Sequence, residues 1–465
     1  MARLRFGYFI APFHRAGTNP TLALQRDLEF AEHLDALGFD EVWYGEHHSA
    51  GSEIISSPEI FIAAAAERAK RIRFGTGVIS LAYHNPLWVA DRLMLLDHLT
   101  HGRIIGGMGP GSLPSDSAMI GLTPTDTREL LETNLDIVVR LLAGETVSAK
   151  TPTHELIDAR LQLAPYSDGG IPLAVAAVAS PTGARLAGKH GIGLLSIGAT
   201  LVVDGFDALA FHWGIVEERA GVFGTQVDRN NWTLVGPMHI AETEEQARAD
   251  VRFGIGPWFR YFQKVAAFPQ MTMPGDQVDE MVDIINAAGA GVIGTPEQAR
   301  AQVQRLWDQS GGFGCFLQMG HEWANPAATK RSAELFAAEV IPHFQGQAQP
   351  TLDAAARASE VRDDLAQTQL QAIDHMTKKY QDEVDFKCRQ WPAAATMSRI
   401  CLGPSGEPEI RTPSGARASA TALMTAAGEA IAPPSPIPLT PNGFGAGDSI
   451  WPTSIVGTSH AVGSR

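Results

Sequence analysis

Within the first 345 residues, a short apolar or β-branched run gives way eight times to a stretch of helical periodicity, and this alternation constrains the fold more than any other feature. The strand-like runs cover residues 4–10, 40–44, 73–81, 103–108, 171–178, 193–196, 232–241 and 315–319. Start and stop residues mark the helices between them: Ser57-Pro58 opens one, Gly38 closes another, and a third runs from Asn85-Pro86 to a stop at Gly102. Eight such units predict an α/β chain folded as a (β/α)8 TIM barrel. An open doubly wound sheet is the structural rival, but no G-x-G-x-x-G follows the first strand. Residues 147–164 read as an inserted pair of short strands, and 255–293 as a long excursion before the eighth strand.

Composition matters chiefly for where it changes. The 465 residues are 45% apolar and 19% charged, with a formal charge of −15. So acidic a chain lacks the basic face that phosphate backbones need, which argues against nucleic acid as a partner. From residue 388 to 465 there is no Lys, and ten Pro accompany five Arg and four acidic residues. A segment like this buries too little apolar surface to offset its chain entropy, and disorder is expected. Residues 351–386 carry helical periodicity without Gly or Pro. The expected organisation is a barrel domain over 1–346, a C-terminal helical extension over 347–387, and a low-complexity disordered tail over 388–465. Three scattered cysteines, Cys315, Cys388 and Cys401, support neither a disulfide framework nor a cysteine-rich zinc site. A signal-peptide cleavage pattern and a membrane-length apolar run are both missing, so a cytoplasmic location without membrane attachment is expected.

A barrel of this class builds its site where strands end and βα loops begin. That rule selects Glu46-His47-His48 after the second strand, Tyr83-His84 after the third, residues 109–115 after the fourth, Ser180-Pro181-Thr182-Gly183 after the fifth and His321-Glu322-Trp323 after the eighth. The turn Ala179-Ser180-Pro181-Thr182-Gly183 leads from strand to helix, so its amides, hydroxyls and positive helix end suit a phosphate. A plain helix cap by Ser180 accounts for the same residues equally well. Arg128, opening the helix after strand four, could supply a charge-assisted bond, although an exposed helical arginine is the commoner meaning of such a residue. Met108-Gly109-Pro110-Gly111 permits close backbone approach by a flat ligand, or simply a tight turn. Gly75 and Gly77, inside an otherwise β-branched strand, mark a bulge or a place where a ligand meets the backbone.

Adjacent histidines point to opposite faces of an extended chain, so His47 and His48 make a poor metal pair, and no metal is expected. A histidine acting as proton donor or acceptor at the barrel mouth fits better. Cys315 lies mid-strand among apolar residues and reads as a buried structural thiol, and no G-x-S-x-G nucleophile turn is present.

From Gly38 to Gly111 the motifs G-F-D-x-x-W…E-H-H, R-I-x-x-G-T and H-x-P-L…D-x-L-T-x-G-R occur in order. Together they resemble the bacterial-luciferase-like flavin monooxygenases, most nearly the limonene monooxygenase group. The likeness extends through the Ser180 turn and the His-Glu-Trp-Ala segment at 321–324, and so spans about residues 1–345. It implies a TIM barrel using reduced FMN and O2, with the flavin delivered by a separate NAD(P)H-flavin reductase. By the same resemblance His47 matches the catalytic histidine, and Gly77-Val78 matches a strand-three cis peptide lying against the flavin ring. Met108 and Gly109 lie at the isoalloxazine, while Arg128, Ala179, Ser180, Thr182 and Gly183 belong to the phosphate region. Two departures stand out: Pro110 occupies a place where the luciferases proper carry Arg, and Ala179 one where they carry Glu. Arg128 and the helix terminus then carry more of the phosphate's charge.

The mechanism implied is a flavin hydroperoxide that inserts one oxygen atom into a small apolar, terpene-like substrate, in a site kept dry against loss of hydrogen peroxide. Trp258, Phe259, Tyr261, Phe262, Phe268, Met271 and Met273 make the 255–293 excursion a candidate lid, or a helical excursion whose aromatics pack on the barrel. A homo-oligomer is expected by analogy. The rivals are a deazaflavin-dependent oxidoreductase, which would call for a basic cluster not seen here, and a non-catalytic flavin-binding protein.

Overall fold

A computed structural model describes residues 3–178, 180–197, 208–266 and 277–390, together with two short strands at Glu409–Arg411 and Arg417–Ser419. Ala179, residues 267–276 with Phe268, Met271 and Met273, and most of the 388–465 tail lie outside the described residues.

Eight parallel strands close into a barrel: β1 (Arg5–Ile10), β2 (Glu41–Tyr44), β3 (Arg73–Thr76), β4 (Ile104–Gly109), β5 (Leu173–Ala177), β6 (Gly193–Ile197), β7 (Trp232–Ile240) and β8 (Cys315–Met319). Pairing runs β1 to β2 to β3 and onward to β7. The ring shuts where β8 pairs with both β7 and β1, as in the registers Thr233 to Cys315 and Arg5 to Cys315. The expected barrel and its eight strands are therefore present. The inserted pair is also there, as antiparallel strands Val147–Lys150 and Glu155–Ala159.

Two places differ from the sequence reading. The third strand, expected as one run over 73–81, stops at Thr76 and resumes as Ile79–Ser80, with a cis peptide joining Gly77 to Val78 between them. Inside the 255–293 excursion, Val292–Gly294 forms an extra parallel strand beside the end of β7. Three residues carry too little periodicity to announce a strand.

Helix starts follow local chemistry. Asn19, Ser57, Asn85, Thr123, Thr295 and Asn325 each accept a backbone N–H at a helix N-terminus, and each is followed by Pro at the head of its helix. Thr123 with Asp126, and Thr295 with Gln298, complete reciprocal capping boxes.

Strand alternation sorts the core into two bodies. Outward residues such as Phe6, Tyr8, Val42, Tyr44 and Phe316 pack beneath the helices, where Phe6 meets Phe336 and Phe344. Inward residues, among them Phe9, Trp43, Val235 and Leu317, fill the barrel and continue upward into Phe13, Trp258, Phe259, Tyr261, Phe262 and Trp323. Gly75 exists for this packing: a Cβ there would stand 2.1 Å from Trp43 Cδ2. A neighbouring indole, not a ligand, is what meets the backbone at Gly75. Cys315 is fully buried in the same interior, and burial, reinforced by Glu41, pushes its thiol pKa well up.

The chain divides into two compact units, Met1–Ser359 and Glu360–Arg465. The described part of the second comprises helix Arg362–Gln390 and the antiparallel pair Glu409–Arg411 with Arg417–Ser419. Among the described residues, no helix is long and apolar enough to cross a membrane.

Candidate active site

His47 lies in the loop leaving β2, at the end of the barrel where strands give way to βα loops. Its backbone N–H donates to Ile55 O, which fixes the loop against the 52–55 segment. Its ring stands between two buried carboxylates, with Nδ1 3.1 Å from Asp116 Oδ2 and Nε2 3.6 Å from Glu53 Oε2. Burial alone would favour the neutral ring, but the charge of Glu53 and the hydrogen bond and charge of Asp116 outweigh it and raise the pKa above the ordinary histidine range. The two carboxylates thus favour the protonated form of His47 over the neutral ring.

Asp116 is itself tied down, accepting from the His48 backbone N–H at 3.2 Å and from the Ser49 hydroxyl. Desolvation raises a carboxyl pKa, yet these bonds and the one from His47 hold Asp116 below its usual value. Glu53 accepts the Tyr261 hydroxyl at 2.6 Å. Tyr261 belongs to helix Ile255–Lys264, whose Trp258, Phe259 and Phe262 are buried with it and whose Trp258 packs on Trp323 at 5.3 Å.

His48 turns away from His47, as adjacent side chains on extended chain must. Its Nε2 meets Glu46 Oε1 at 2.7 Å, and His84 Nε2 reaches the same oxygen at 2.7 Å. Ser80 N–H donates to Glu46 Oε2. Burial opposes the charge on Glu46, but these bonds prevail and bring its pKa down to about 2.

On helix Pro20–Leu37, Asp27 is buried between His321, 2.7 Å away, and His14, 3.0 Å away. Despite desolvation, the two imidazoles hold Asp27 ionised far below the usual range, and Asp27 in turn raises the pKa of His321.

The remaining sequence-selected residues lie near the ends of β3, β4 and β5. Gly77 and Gly109 are buried, Val78 is half-buried and Met108 fully buried. Val78 Cγ2 approaches Gly109 so closely that a Cβ there would stand 2.6 Å from it. Helix Thr182–His190 begins after Pro181 and has no side-chain cap, so Ser180 does not cap it. Ser180 and Thr182 are half-buried and Gly183 is buried. Arg128 is exposed, and its guanidinium bonds Pro124 O on its own helix. That helix, Pro124–Leu142, runs beside Thr182–His190, with Glu132 4.0 Å from Arg185 and Asp136 3.9 Å from Lys189. One turn earlier along both helices, Arg128 falls level with Pro181. His47 and the Arg128–Ser180 group therefore occupy different βα loops at the same end of the barrel.

Sequence comparison decides the class. Residues 4–313 match the family model of the luciferase-like monooxygenases. The chain belongs to this family. It is 52% identical over 350 residues to limonene 1,2-monooxygenase of Rhodococcus erythropolis, covering 75% of this chain and 89% of that one. It is 43% identical to 4-hydroxyprotoasukamycin monooxygenase of Streptomyces nodosus subsp. asukaensis, covering 74% and 94%. Among solved structures, the oxygenating constituent of 3,6-diketocamphane monooxygenase from Pseudomonas putida, in complex with FMN, superposes with a TM-score of 0.59 at 25% identity, covering 73% of this chain and 98% of that one. The protein is accordingly a luciferase-like monooxygenase.

Asp116, Glu53, Tyr261 and Asp27 were not legible as site residues. Asp116 lies one residue beyond the 109–115 loop, and the run Pro114-Ser115-Asp116 looks like an ordinary helix start. Tyr261 was visible only as one lid aromatic among several. Its meaning depends on Glu53, 208 residues away in sequence.

Proposed function

We propose that this monooxygenase inserts one atom of O2 into a small apolar, terpene-like substrate, using reduced FMN delivered by a separate NAD(P)H-dependent reductase. The observation that carries the reading is His47: an imidazole flanked by two buried carboxylates, one of which, Glu53, accepts the hydroxyl of Tyr261 from the buried aromatic helix Ile255–Lys264. Carboxylates placed to favour a protonated histidine suit proton transfer, and the buried aromatic helix tied to Glu53 suits a hydrocarbon better than a charged ligand.

The residues present fit a flavin. Gly77, Val78, Met108 and Gly109 lie together at the ends of β3 and β4, with Val78 packed against Gly109, and this is the surface assigned to the ring. The uncapped start of Thr182–His190, with the Ser180 and Thr182 hydroxyls and Arg128 level with it, suits a phosphate. In this assignment Gly77, Val78, Met108 and Gly109 hold the ring, while Ser180, Thr182, Gly183 and Arg128 hold the phosphate. Ala179 falls outside the described residues. When bound, reduced flavin supplies the electrons that activate O2. The chain's own residues do the rest: His47 holds a proton at Nε2, Asp116 fixes the ring through Nδ1, and the aromatic wall excludes water that would divert oxygen to hydrogen peroxide. Limonene 1,2-monooxygenase as a relative, and the FMN-bound oxygenating constituent of 3,6-diketocamphane monooxygenase as a structural neighbour, support both substrate class and two-component operation.

The test supplies FMN, NADH and a generic flavin reductase to the purified protein, with a panel of terpenes and cyclic ketones, and follows oxygen, peroxide and product. Coupled oxygenation of at least one apolar compound is expected. If reduced FMN does not bind and every panel member gives only background peroxide, the reading fails.

A further inference from the structure

Two donors face a single oxygen. The Tyr261 hydroxyl donates to Glu53 Oε2 at 2.6 Å, and His47 Nε2 stands 3.6 Å from that same atom. At 3.6 Å the pair attracts through charge but makes no hydrogen bond. Glu53 therefore stabilises a proton on His47 without taking it.

The arrangement is built in from both sides. His14 N–H donates to Ser52 O at 2.7 Å, Ile54 N–H donates to Pro12 O at 3.2 Å, and Phe13 bridges Glu53 as an isolated antiparallel pair. With His47 N–H on Ile55 O, the 52–55 backbone cannot shift relative to either loop. Tyr261 arrives from the other direction on helix Ile255–Lys264, its ring 5.4 Å from that of Phe13. Both Glu53 and Tyr261 are about 95% buried, so water does not compete for the shared oxygen.

We propose that Tyr261 is a positioning residue for His47: by occupying Glu53 Oε2 it lets the carboxylate's charge keep the imidazolium protonated while leaving the Nε2 proton available to the reacting oxygen. This rests on the reading of His47 as the proton donor. Donation of that proton leaves a neutral imidazole whose Nδ1–H stays on Asp116, so the ring keeps its place. The charged and titratable groups around His47 are Glu53 and Tyr261 at Nε2, Asp116 at Nδ1, and Glu46 and His48 from its own loop. Burial and the nearby Glu53 and Asp116 charges raise the Tyr261 pKa far above the ordinary phenol value, so it remains a donor throughout the working range. The same helix carries Trp258, Phe259 and Phe262, so the substrate wall and the proton on His47 depend on one element being seated.

Nitrogen-15 NMR of histidine-labelled, flavin-free protein tests the positioning directly. In Tyr261→Phe, Glu53 turns to His47, and the His47 titration midpoint should rise as a direct hydrogen bond forms. In Glu53→Gln it should fall by about 1–3 pH units, the usual effect of one opposite charge at this range. Adding Tyr261→Phe to Glu53→Gln should change nothing more. In the turnover reaction with limonene as probe, Tyr261→Phe should lower product formed per O2 consumed several-fold and move the pH profile of coupling upward, with limonene KM little changed. Glu53→Asp, which withdraws the carboxylate by one methylene, should reproduce the downward midpoint shift if Glu53→Gln folds poorly. A wild-type His47 midpoint in folded Tyr261→Phe overturns the positioning role. His47→Asn keeps the two layers apart: unchanged coupling there removes the proton-donor reading, whatever the titrations show.

Discussion

His47 Nδ1 and Asp116 Oδ2 stand 3.1 Å apart, although 69 residues separate them in sequence. The contact joins the loop after β2 to the short helix Pro114–Met119 after β4. It fixes which ring nitrogen faces Asp116 and which faces Glu53, a choice that imidazole does not make unaided. Ser49 and the His48 backbone N–H hold the carboxylate in turn, so the histidine is oriented by a chain of bonds that ends in backbone.

Replacing Asp116 with Asn keeps the shape and removes the charge. A hydrogen bond to a charged group is worth about 1.5–3 kcal/mol, so product per O2 should fall by roughly 10- to 100-fold. The His47 titration midpoint should fall as well. Parallel oxygen-electrode and product assays measure the first effect. A coupled Asp116→Asn variant would mean that the ring is oriented by something else.

What sequence could reveal followed range. Strand and helix signals are local, so the eight units emerged from periodicity and cap residues such as Asn85-Pro86, and the site end of the barrel followed from strand order. His47 was legible because it lies next to a strand end inside a dense motif. Its partners were not. Glu53 and Tyr261 become meaningful only when the excursion helix folds back over the barrel, and nothing periodic joins them. Gly75 shows the opposite error. Its glycine signal was real, but the pressure came from Trp43 on the neighbouring strand, and a one-dimensional reading cannot tell an indole from a ligand.

Acid should weaken the Glu46 cluster. Glu46 has a folded pKa lowered from 4.5 to about 2, so its stabilisation is present above 4.5 and is lost as pH falls toward 2. Its full extent is about 3 kcal/mol at 1.36 kcal/mol per pH unit. His48 acts in the other direction: its hydrogen bond to Glu46 raises its pKa above 6.5, so its share is complete below that value and is lost as pH climbs through the folded value. Urea melts of the wild type and Glu46→Gln across pH 2–8 should therefore differ most between about 4.5 and 6.5, and converge near pH 2. A pH-independent difference would exclude this linkage.

Asp27 should be essential to folding stability. Asn in its place leaves a buried His321 without its counter-charge and removes the carboxylate beside His14. Breaking one partner of a buried ion pair costs about 3–5 kcal/mol, which should appear as a lower melting temperature. Alanine at His14 should cost less, because Asp27 retains His321. Equal losses in the two variants would contradict this ordering.

Gly75→Ala should destabilise the barrel, since its methyl would reach within 2.1 Å of the Trp43 ring. Overpacking of this kind costs about 1–3 kcal/mol. Trp43→Leu would open a cavity on its own, yet in the double variant the methyl partly fills that space. The double variant should therefore lose less than the sum of the two singles, a coupling measurable by denaturant melts. Strict additivity would show that the indole moves aside freely.

Arg128 gives the clearest test of where a phosphate sits. Glu132 and Asp136 pair across to Arg185 and Lys189, which brings Arg128 level with the uncapped end of the Thr182–His190 helix. Its guanidinium has five N–H donors and spends one on Pro124 O, so donors remain for an anion. FMN carries a phosphate and riboflavin does not. Arg128→Ala should therefore weaken FMN binding about tenfold, the worth of one charge-assisted hydrogen bond at a partly exposed site, and leave riboflavin affinity unchanged. Ser180→Ala should act in the same selective sense and more weakly, because it removes a neutral donor. Anaerobic titration of both reduced flavins against the three proteins measures the contrast. Equal losses for FMN and riboflavin would place the side chain's effect on the ring or the fold instead of the phosphate.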